Sequence, residues 1–530
     1  MKKCPKCGRG YSDMVQVCPA CNVKLKNEPT QKPMNDVDNV EDVVMPEETD
    51  VPTPKPKKKG GIVAAAVALA AVAVCGGLLL FKGTGTSENA QMVANAAEAA
   101  KQTGTAASDT LSATAEAGEQ ESGVTDPEEQ YAQGKRYAEG DGVDQDWEEA
   151  VKWFRKAAEQ GHADAQNYLG SCYYEGFGVP QDYNEAVKWF RAGAEQGNTR
   201  SLFNLGLCYD NGYGVPQDSM EAAKWYRAAA EKKHIRGQYN LGLCYQDGNG
   251  VMQDYEEAAK WFRKSADQGY RAAQNKLGYV YWNGQGVPED KKTAIVWYEK
   301  AAEQGDAGAQ QFLGSCYEQG YVVAQSYRTA EKWYALAAEQ DDMVSQRSLG
   351  RLYLFGVDGI NKDVKKGFEL CEKAAQQGDA EAQWTVGYCY EMGLGAAKKT
   401  EEAISWYRKA AEQGQANAQD TLGYCYQLGI GVDKDNVEAA KWYLKSADQG
   451  FATAQCHYAY CCRYGIGVKV DKETAFQYYK MAADQDDLSA MKIVADCYES
   501  GTGTPQNYEL ARAMKERIRV LESKQVENSK

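Results

Sequence analysis

Along most of this chain the apolar residues recur in two alternating patterns, both with helical spacing. Over residues 167–202, Leu169, Gly170, Cys172 and Tyr173 fall on one face of a first helix. Ala186, Trp189, Phe190 and Ala194 then recur at i, i+3, i+4 and i+8, one face of a second amphipathic helix. Between the two runs the stretch Gly-Phe-Gly-Val-Pro-Gln-Asp, which predicts a loop. Aligning Asn167, Phe203, Tyr239, Asn275 and Gln311 in one column returns the same pair of patterns every 36 residues. The unit at Tyr131 lacks the cysteine, the unit Arg347–Gln383 has one extra residue in a degraded loop, and the last, from Lys492, runs out into a charged helix; with these the count is eleven. A fixed period of this length marks a repeat architecture.

Each unit predicts its own helix pair. Asp182-x-x-Glu185 has the form of a capping box and recurs as Asp146/Glu149, Asp218/Glu221, Asp254/Glu257 and Asp435/Glu438. Gly197 stands where the second helix would end in a left-handed residue. Gly170, Gly206, Gly242, Gly278, Gly314, Gly350, Gly387 and Gly423 share one column inside the first helix, where glycine costs about 1 kcal/mol against alanine. A position without a side chain there is expected to let two helices approach closely. The loop lacks the Lys-Ser/Thr ending of a phosphate loop. One hairpin cannot bury its own apolar face, so the units are expected to stack on their neighbours as an all-α solenoid. The tryptophan column (Trp153, Trp189, Trp225, Trp261, Trp297, Trp333, Trp406, Trp442) is expected in the core. Cys172, Cys208, Cys244, Cys316, Cys389 and Cys425 share another column, expected to be small buried hydrophobes. At about 10 Å between packed helices they would be too far apart to bridge. Cys456, Cys461 and Cys462 are read as breaking that column, with room for one bridged pair.

The Leu-Gly-x-x-Tyr helix, the Gly-x-Gly-Val loop and the Glu-Ala-x-x-Trp-Phe/Tyr-x-x-Ala-Ala-Glu-Gln-Gly helix resemble the Sel-one-like repeat, a relative of the tetratricopeptide repeats, over residues 131–507. That resemblance implies a right-handed α/α superhelix serving as a scaffold for protein–protein contacts rather than catalysis. Some bacterial members bridge two cysteines seven residues apart in every unit. Most units here hold one cysteine, so that pairing does not carry over.

Upstream of the repeats the composition changes several times. Residues 1–26 hold Cys4-Pro-Lys-Cys7 and Cys18-Pro-Ala-Cys21, two pairs of thiols suited to one tetrahedral Zn²⁺, and residues 4–21 resemble the short zinc-ribbon modules at the start of many bacterial membrane proteins. Two disulfides or a rubredoxin-like iron site are the alternatives for the same four residues. Such a small β zinc ribbon would draw most of its folding energy from the metal. Residues 27–61 and 82–127 are poor in periodic apolar residues and read as disordered linkers. Residues 62–81 are twenty uncharged, mostly apolar residues, about 30 Å as a helix, and predict a single transmembrane span. Lys55, Lys57, Lys58 and Lys59 precede the span and Lys82 alone follows it, which puts the N-terminus in the cytoplasm and the repeats, 128–524, outside an inner bacterial membrane. Unpaired thiols sit more easily in a reducing compartment; burial, or an anaerobic host, reconciles them with that orientation.

Composition narrows the function. A formal net charge of −15 argues against a dedicated nucleic-acid binder, although Lys2, Lys3, Lys6, Arg9, Lys24 and Lys26 could touch nucleic acid or anionic lipid. Only His162, His234 and His457 are available for imidazole chemistry, and no nucleophile–base set or paired carboxylate stands outside the repeat pattern, so no enzyme is expected. On the first helix of each unit the first, fifth and eighth columns, one shared face, vary while the apolar columns do not. They hold Phe203 and Leu207, Tyr239 and Leu243, Tyr279 and Trp282, Arg347 and Arg351, and Trp384 and Tyr388. Stacking would line these up as a groove for a protein partner, aromatic residues and Arg being frequent interface anchors. The function expected is a membrane-anchored scaffold that holds a protein, or cell-wall material, near the membrane. The alternative is a regulatory protein whose zinc ribbon engages a cytoplasmic regulator or nucleic acid.

Overall fold

In the computed structural model the described residues are 124–528 and the short segments 2–3, 10–11 and 26–27. Those segments are two-residue strands, with Lys2–Lys3 between Gly10–Tyr11 and Lys26–Asn27 and antiparallel to both. Cys4, Cys7, Cys18, Cys21, both linkers and the 62–81 segment lie outside the described residues. From Pro127–Glu139 to Tyr508–Asn528 the described chain forms 22 helices, an α-solenoid of eleven leading-and-trailing pairs. None of these helices is long and apolar enough to cross a membrane. Two compact units are distinguished, Val40–Gly193 and Met1–Asn39 with Ala194–Lys530.

Local chemistry starts and stops each helix. Asp146, Asp182, Asp218, Asp254 and Asp435 each accept the backbone N–H three residues on, at 3.0–3.1 Å. The glutamates at those third positions turn to lysine one turn ahead, as Glu149 does to Lys152 at 2.8 Å and Glu438 to Lys441 at 2.9 Å. Leading helices are capped by Asn198, Asp306, Asp342, Asp379, Asp487 and, unexpectedly, by two of the three histidines. His162 Nδ1 accepts from the Ala165 N–H and His234 Nδ1 from the Gly237 N–H, each at 3.1 Å.

The glycine column does what its spacing implies. A Cβ built on Gly242 would lie 2.6 Å from the Phe262 ring, and one on Gly314 would lie 2.6 Å from the Tyr334 ring. The trailing helix thus lays its aromatic residue flat against the bare backbone of the leading helix in the same repeat. This corrects the expected depth of the tryptophans. The deepest side chains are the residues after them, Phe154, Phe190, Tyr226, Phe262, Tyr407 and Tyr443, at 0–1% exposure. Trp261, Trp297 and Trp442 are buried, but Trp153, Trp189, Trp225, Trp333 and Trp406 are only half-buried. A lysine one turn on covers several of these indoles, Lys264 over Trp261 at 3.5 Å and Lys445 over Trp442 at 3.7 Å. Where the deep residue is tyrosine, its hydroxyl reaches a polar group on the leading helix: Tyr226 donates to Asp210, Tyr334 to Glu318, Tyr407 to Glu391 and Tyr443 to Gln427. Where it is phenylalanine, as at Phe154, the facing position can be apolar, here Ala138.

A buried amide column is the least expected part of the core. Gln274 is 5% exposed. Its amide N–H donates to the Ala266 carbonyl of the preceding trailing helix at 3.2 Å, and its oxygen accepts from Gln304, at the end of its own trailing helix, at 2.7 Å. Gln160 pairs in this way with Gln130, Gln268 with Gln238, Gln340 with Gln310 and Gln449 with Gln419. Two repeats break the rule and lose both partners together: Leu202 faces the Lys232 position, and Met491 packs in one cluster with Leu521. Removing one partner of such a pair exposes the carbonyl to an apolar neighbour, so Gln274→Leu should destabilise by about 1–2 kcal/mol. Gln304→Lys alone should also cost about 1 kcal/mol, because it leaves the buried Gln274 amide oxygen without its donor. The double variant, which copies Leu202/Lys232, should cost less than the sum of the two in a urea melt.

The loops fix how each repeat meets the one before it. A Cβ on Gly250, at φ 70°, would sit 1.8 Å from the Ser219 carbonyl oxygen of the preceding trailing helix. Val322 occupies the same position one pair of repeats later at φ 67°, an unusual backbone for a β-branched residue. The extra residue of the unit Arg347–Gln383 is absorbed here too. A bridge between Val357 and Ile360 closes a small turn, Ile360 is buried, and Arg328 Nε donates to the Gly359 carbonyl at 3.1 Å.

Candidate partner-binding surface

The cysteines are core residues. All eleven described cysteines are free, and ten of them are buried. Cys461 and Cys497 belong to the column read as ending at Cys425, occupying the same place in their helices as Cys172 does in Ala163–Glu175, and Cys461 and Cys462 are not bridged. Burial pushes the thiols of Cys172, Cys208, Cys389 and Cys425 up to about 12, which keeps them protonated and unreactive. The histidines are also structural in setting: His162 Nε2 lies 2.9 Å from Glu128, and His457 Nδ1 2.7 Å from Asp420. Among the described residues no group of three or more His, Cys, Asp or Glu side chains is placed to hold a metal ion.

The residues expected to line a groove divide by position along the chain. Phe203 and Leu207 are buried at 5% and 9% exposure, with the Phe203 ring 4.8 Å from His234 and 5.9 Å from Tyr226, so they are packing residues rather than contact residues. Tyr239 and Leu243 are half-buried against the Phe262 cluster. Tyr279 is 40% exposed, while Trp282 stands edge-on to Phe312 at 4.8 Å. Arg347 binds Asp379 at 2.6 Å and Arg351 binds Glu381 at 2.7 Å, bridging consecutive leading helices. Trp384 and Tyr388 stack at 6.0 Å, and the indole N–H of Trp384 reaches the Thr421 hydroxyl at 3.4 Å. In the eighth column Asp210 and Glu391 are taken up by tyrosine hydroxyls of their own repeats, and burial raises the Asp210 carboxyl.

Sequence reasoning passed over a neighbouring column, the last residue of each leading helix. It is polar in the earlier repeats, as Asn211, Asp247, Asn283 and Gln319. In the four leading helices from Met343–Phe355 to Ala452–Tyr464 it becomes Phe355, Met392, Leu428 and Tyr464, at 49–56% exposure, before returning to polar as Ser500. The signal was present as a change of residue class within one column.

Comparison with known proteins agrees with this architecture. Eleven consecutive matches to the Sel1 repeat run from residues 130–162 to 488–514, covering more than half of the chain. A protective antigen present in uropathogenic Escherichia coli strains, whose crystal structure displays an SLR fold, is 36% identical, with 74% of this chain and 84% of that chain covered and a TM-score of 0.67. A Sel1 repeat protein from Oxalobacter formigenes is 34% identical over 57% of this chain and 88% of that chain, with a TM-score of 0.44. Among curated proteins no match is found. With a helix pair for every matched repeat and a crystallised relative of the same design, the chain belongs to the Sel1 repeat family.

Proposed function

We propose that this protein is a membrane-anchored, non-enzymatic scaffold that holds a protein partner, or cell-wall material, on the leading-helix face of its repeats. The observation that carries the reading is the exposed side chains on that face, Tyr279, Arg351 and the later apolar residues, on a stack of hairpins whose core is otherwise closed. Residues 62–81 would cross a bacterial inner membrane once, and the lysines ahead of them would keep the N-terminus in the cytoplasm. Cys4, Cys7, Cys18 and Cys21 would hold a structural Zn²⁺; four thiolates fill a tetrahedral shell and leave no position for substrate. The strands on either side of Cys4 and Cys7, Lys2–Lys3 and Gly10–Tyr11, pair as a ribbon of that kind requires. The repeats would stand outside, with a linker of about 45 residues giving a reach of about 40 Å. A related chain being a protective antigen is in keeping with exposure at the cell surface side.

Protease added to intact spheroplasts tests the arrangement. The repeat region should be degraded while an epitope tag at the N-terminus survives, and full protection of the repeats would reverse the orientation. Deleting 128–524 should abolish the phenotype of the intact gene. Loss of the phenotype on deleting 1–26 alone would favour the regulatory reading.

A further inference from the structure

We infer that the leading helices of the repeats spanning 344–487 bind an acidic amphipathic helix, an assignment that rests on the scaffold reading and narrows its partner. Two columns change together in this stretch and nowhere else among the described residues. The last residue of the leading helix becomes large and apolar: Phe355, Met392, Leu428 and Tyr464, exposed by 49%, 55%, 51% and 56%. One turn back on the same helices, Tyr424 and Tyr460 are exposed by 46% and 45%, and Tyr388 is half-buried. One ring pair crosses between repeats, Phe355 lying 6.5 Å from Tyr388, and Tyr460 lies 4.7 Å from Tyr464 within one helix.

The second column is the loop residue beside that apolar position. In the other repeats it is mostly glutamine, and its amide closes the end of the leading helix: Gln217 donates to the Asp210 carbonyl at 2.7 Å, Gln253 to Gln246 at 2.8 Å and Gln325 to Glu318 at 2.8 Å. In repeats 344–451 the position is Lys362, Lys398 and Lys434, whose Cβ atoms approach Gly356, Gly393 and Gly429, the residues next to Phe355, Met392 and Leu428. All three lysines are exposed. None of them makes an ion pair among the described residues, in contrast to Lys399, which binds Glu402 at 3.0 Å.

The same repeats therefore give up a helix-closing hydrogen bond and a polar helix end, and gain nothing inside the fold in return. Local rules broken without internal compensation point to a site. What they gain is one apolar side chain per repeat, edged by an unpaired lysine in the first three and by Val470 in the fourth. Helices packed side by side lie about 8–10 Å apart. An α-helix returns the same face every seven residues, about 10.5 Å, so a helix with an apolar residue each heptad can meet Phe355, Met392, Leu428 and Tyr464 in turn. The lysine edge selects acidic residues beside that stripe.

The full-length chain in detergent, panned against a phage library of random 25-residue peptides, tests this. Enriched peptides should combine net negative charge with heptad-spaced apolar residues. Their binding should fall at least tenfold with Met392→Glu/Leu428→Glu, and at least tenfold with Lys362→Glu/Lys398→Glu/Lys434→Glu. Asn211→Lys/Asn283→Lys should leave it unchanged, as should the melting curve of every variant. Enrichment of basic or uncharged peptides, or binding that survives both sets of substitutions, would overturn the acidic-helix assignment and leave the scaffold reading standing. A library that yields no enriched sequence would count against both.

Discussion

Gly242→Val is expected to lower stability by about 3 kcal/mol or more and to split unfolding into two steps. Even the first carbon of a side chain at this position meets the Phe262 ring at 2.6 Å, and Phe262 is fully buried. Neither helix can yield alone, because Phe262 is also packed among Ala258, Ala259, Ala266, Ala273 and Leu277. Overpacking of this kind typically costs 1–3 kcal/mol, and the extra methyls of valine add to it. Each repeat leans only on its neighbours, so the damage concentrates at one seam and uncouples the chain on either side. Calorimetry should resolve two transitions where the parent shows one. Pairing the change with Phe262→Ala should recover part of the loss, a coupling that a general folding defect would not give. Two repeats already carry the milder version: Ala459 and Ala495 are buried in the leading helices Ala452–Tyr464 and Leu488–Ser500.

The second large effect is a dependence on pH. Burial, and then the nearby Arg236 and Arg200 charges, lower the His234 imidazole from 6.5 to about 4, so it caps its helix as the neutral ring. A group whose folded value is depressed gives stability that is complete above the unfolded value, near pH 6.5, and is lost as pH falls towards about 4. The loss over that window should reach about 3 kcal/mol. Protonation also turns Nδ1 from acceptor to donor, which removes the bond from the Gly237 N–H. His234→Asn should hold the cap, since Asn198 caps the preceding leading helix in the same way, and should flatten the stability profile between pH 6.5 and 4. An unchanged slope in urea melts across that range would refute the assignment.

Much of this molecule could be read in advance. The 36-residue period, the paired helices, the aspartate caps and the close approach at the glycine column all follow from residue spacing, because a helix repeats its faces and a loop must break them. Depth within a face was harder. Trp261 and Phe262 are adjacent, yet only the second is fully buried, and about 100° of helical rotation separates them. Phe203 and Leu207 share columns with Tyr239 and Leu243, but packing against Tyr226 and His234 takes the first pair out of reach. The glutamines look like ordinary surface residues in the sequence; their meaning appears only when partners 30 residues apart are seen bonded. Cys461 is hard to place in its column from sequence because Cys456 and Cys462 crowd the same helix.

The glutamine pairing also bears on how such a chain can grow. Gln274 and Gln304 belong to one repeat, and what Gln274 asks of the preceding repeat is only a backbone carbonyl, which any sequence supplies. A crossover that inserts or removes a complete hairpin leaves every amide satisfied, whereas one that cuts between the two helices strands half of a pair inside an apolar seam. Arrays of different length are therefore reachable by whole-unit exchange with no compensating substitution elsewhere.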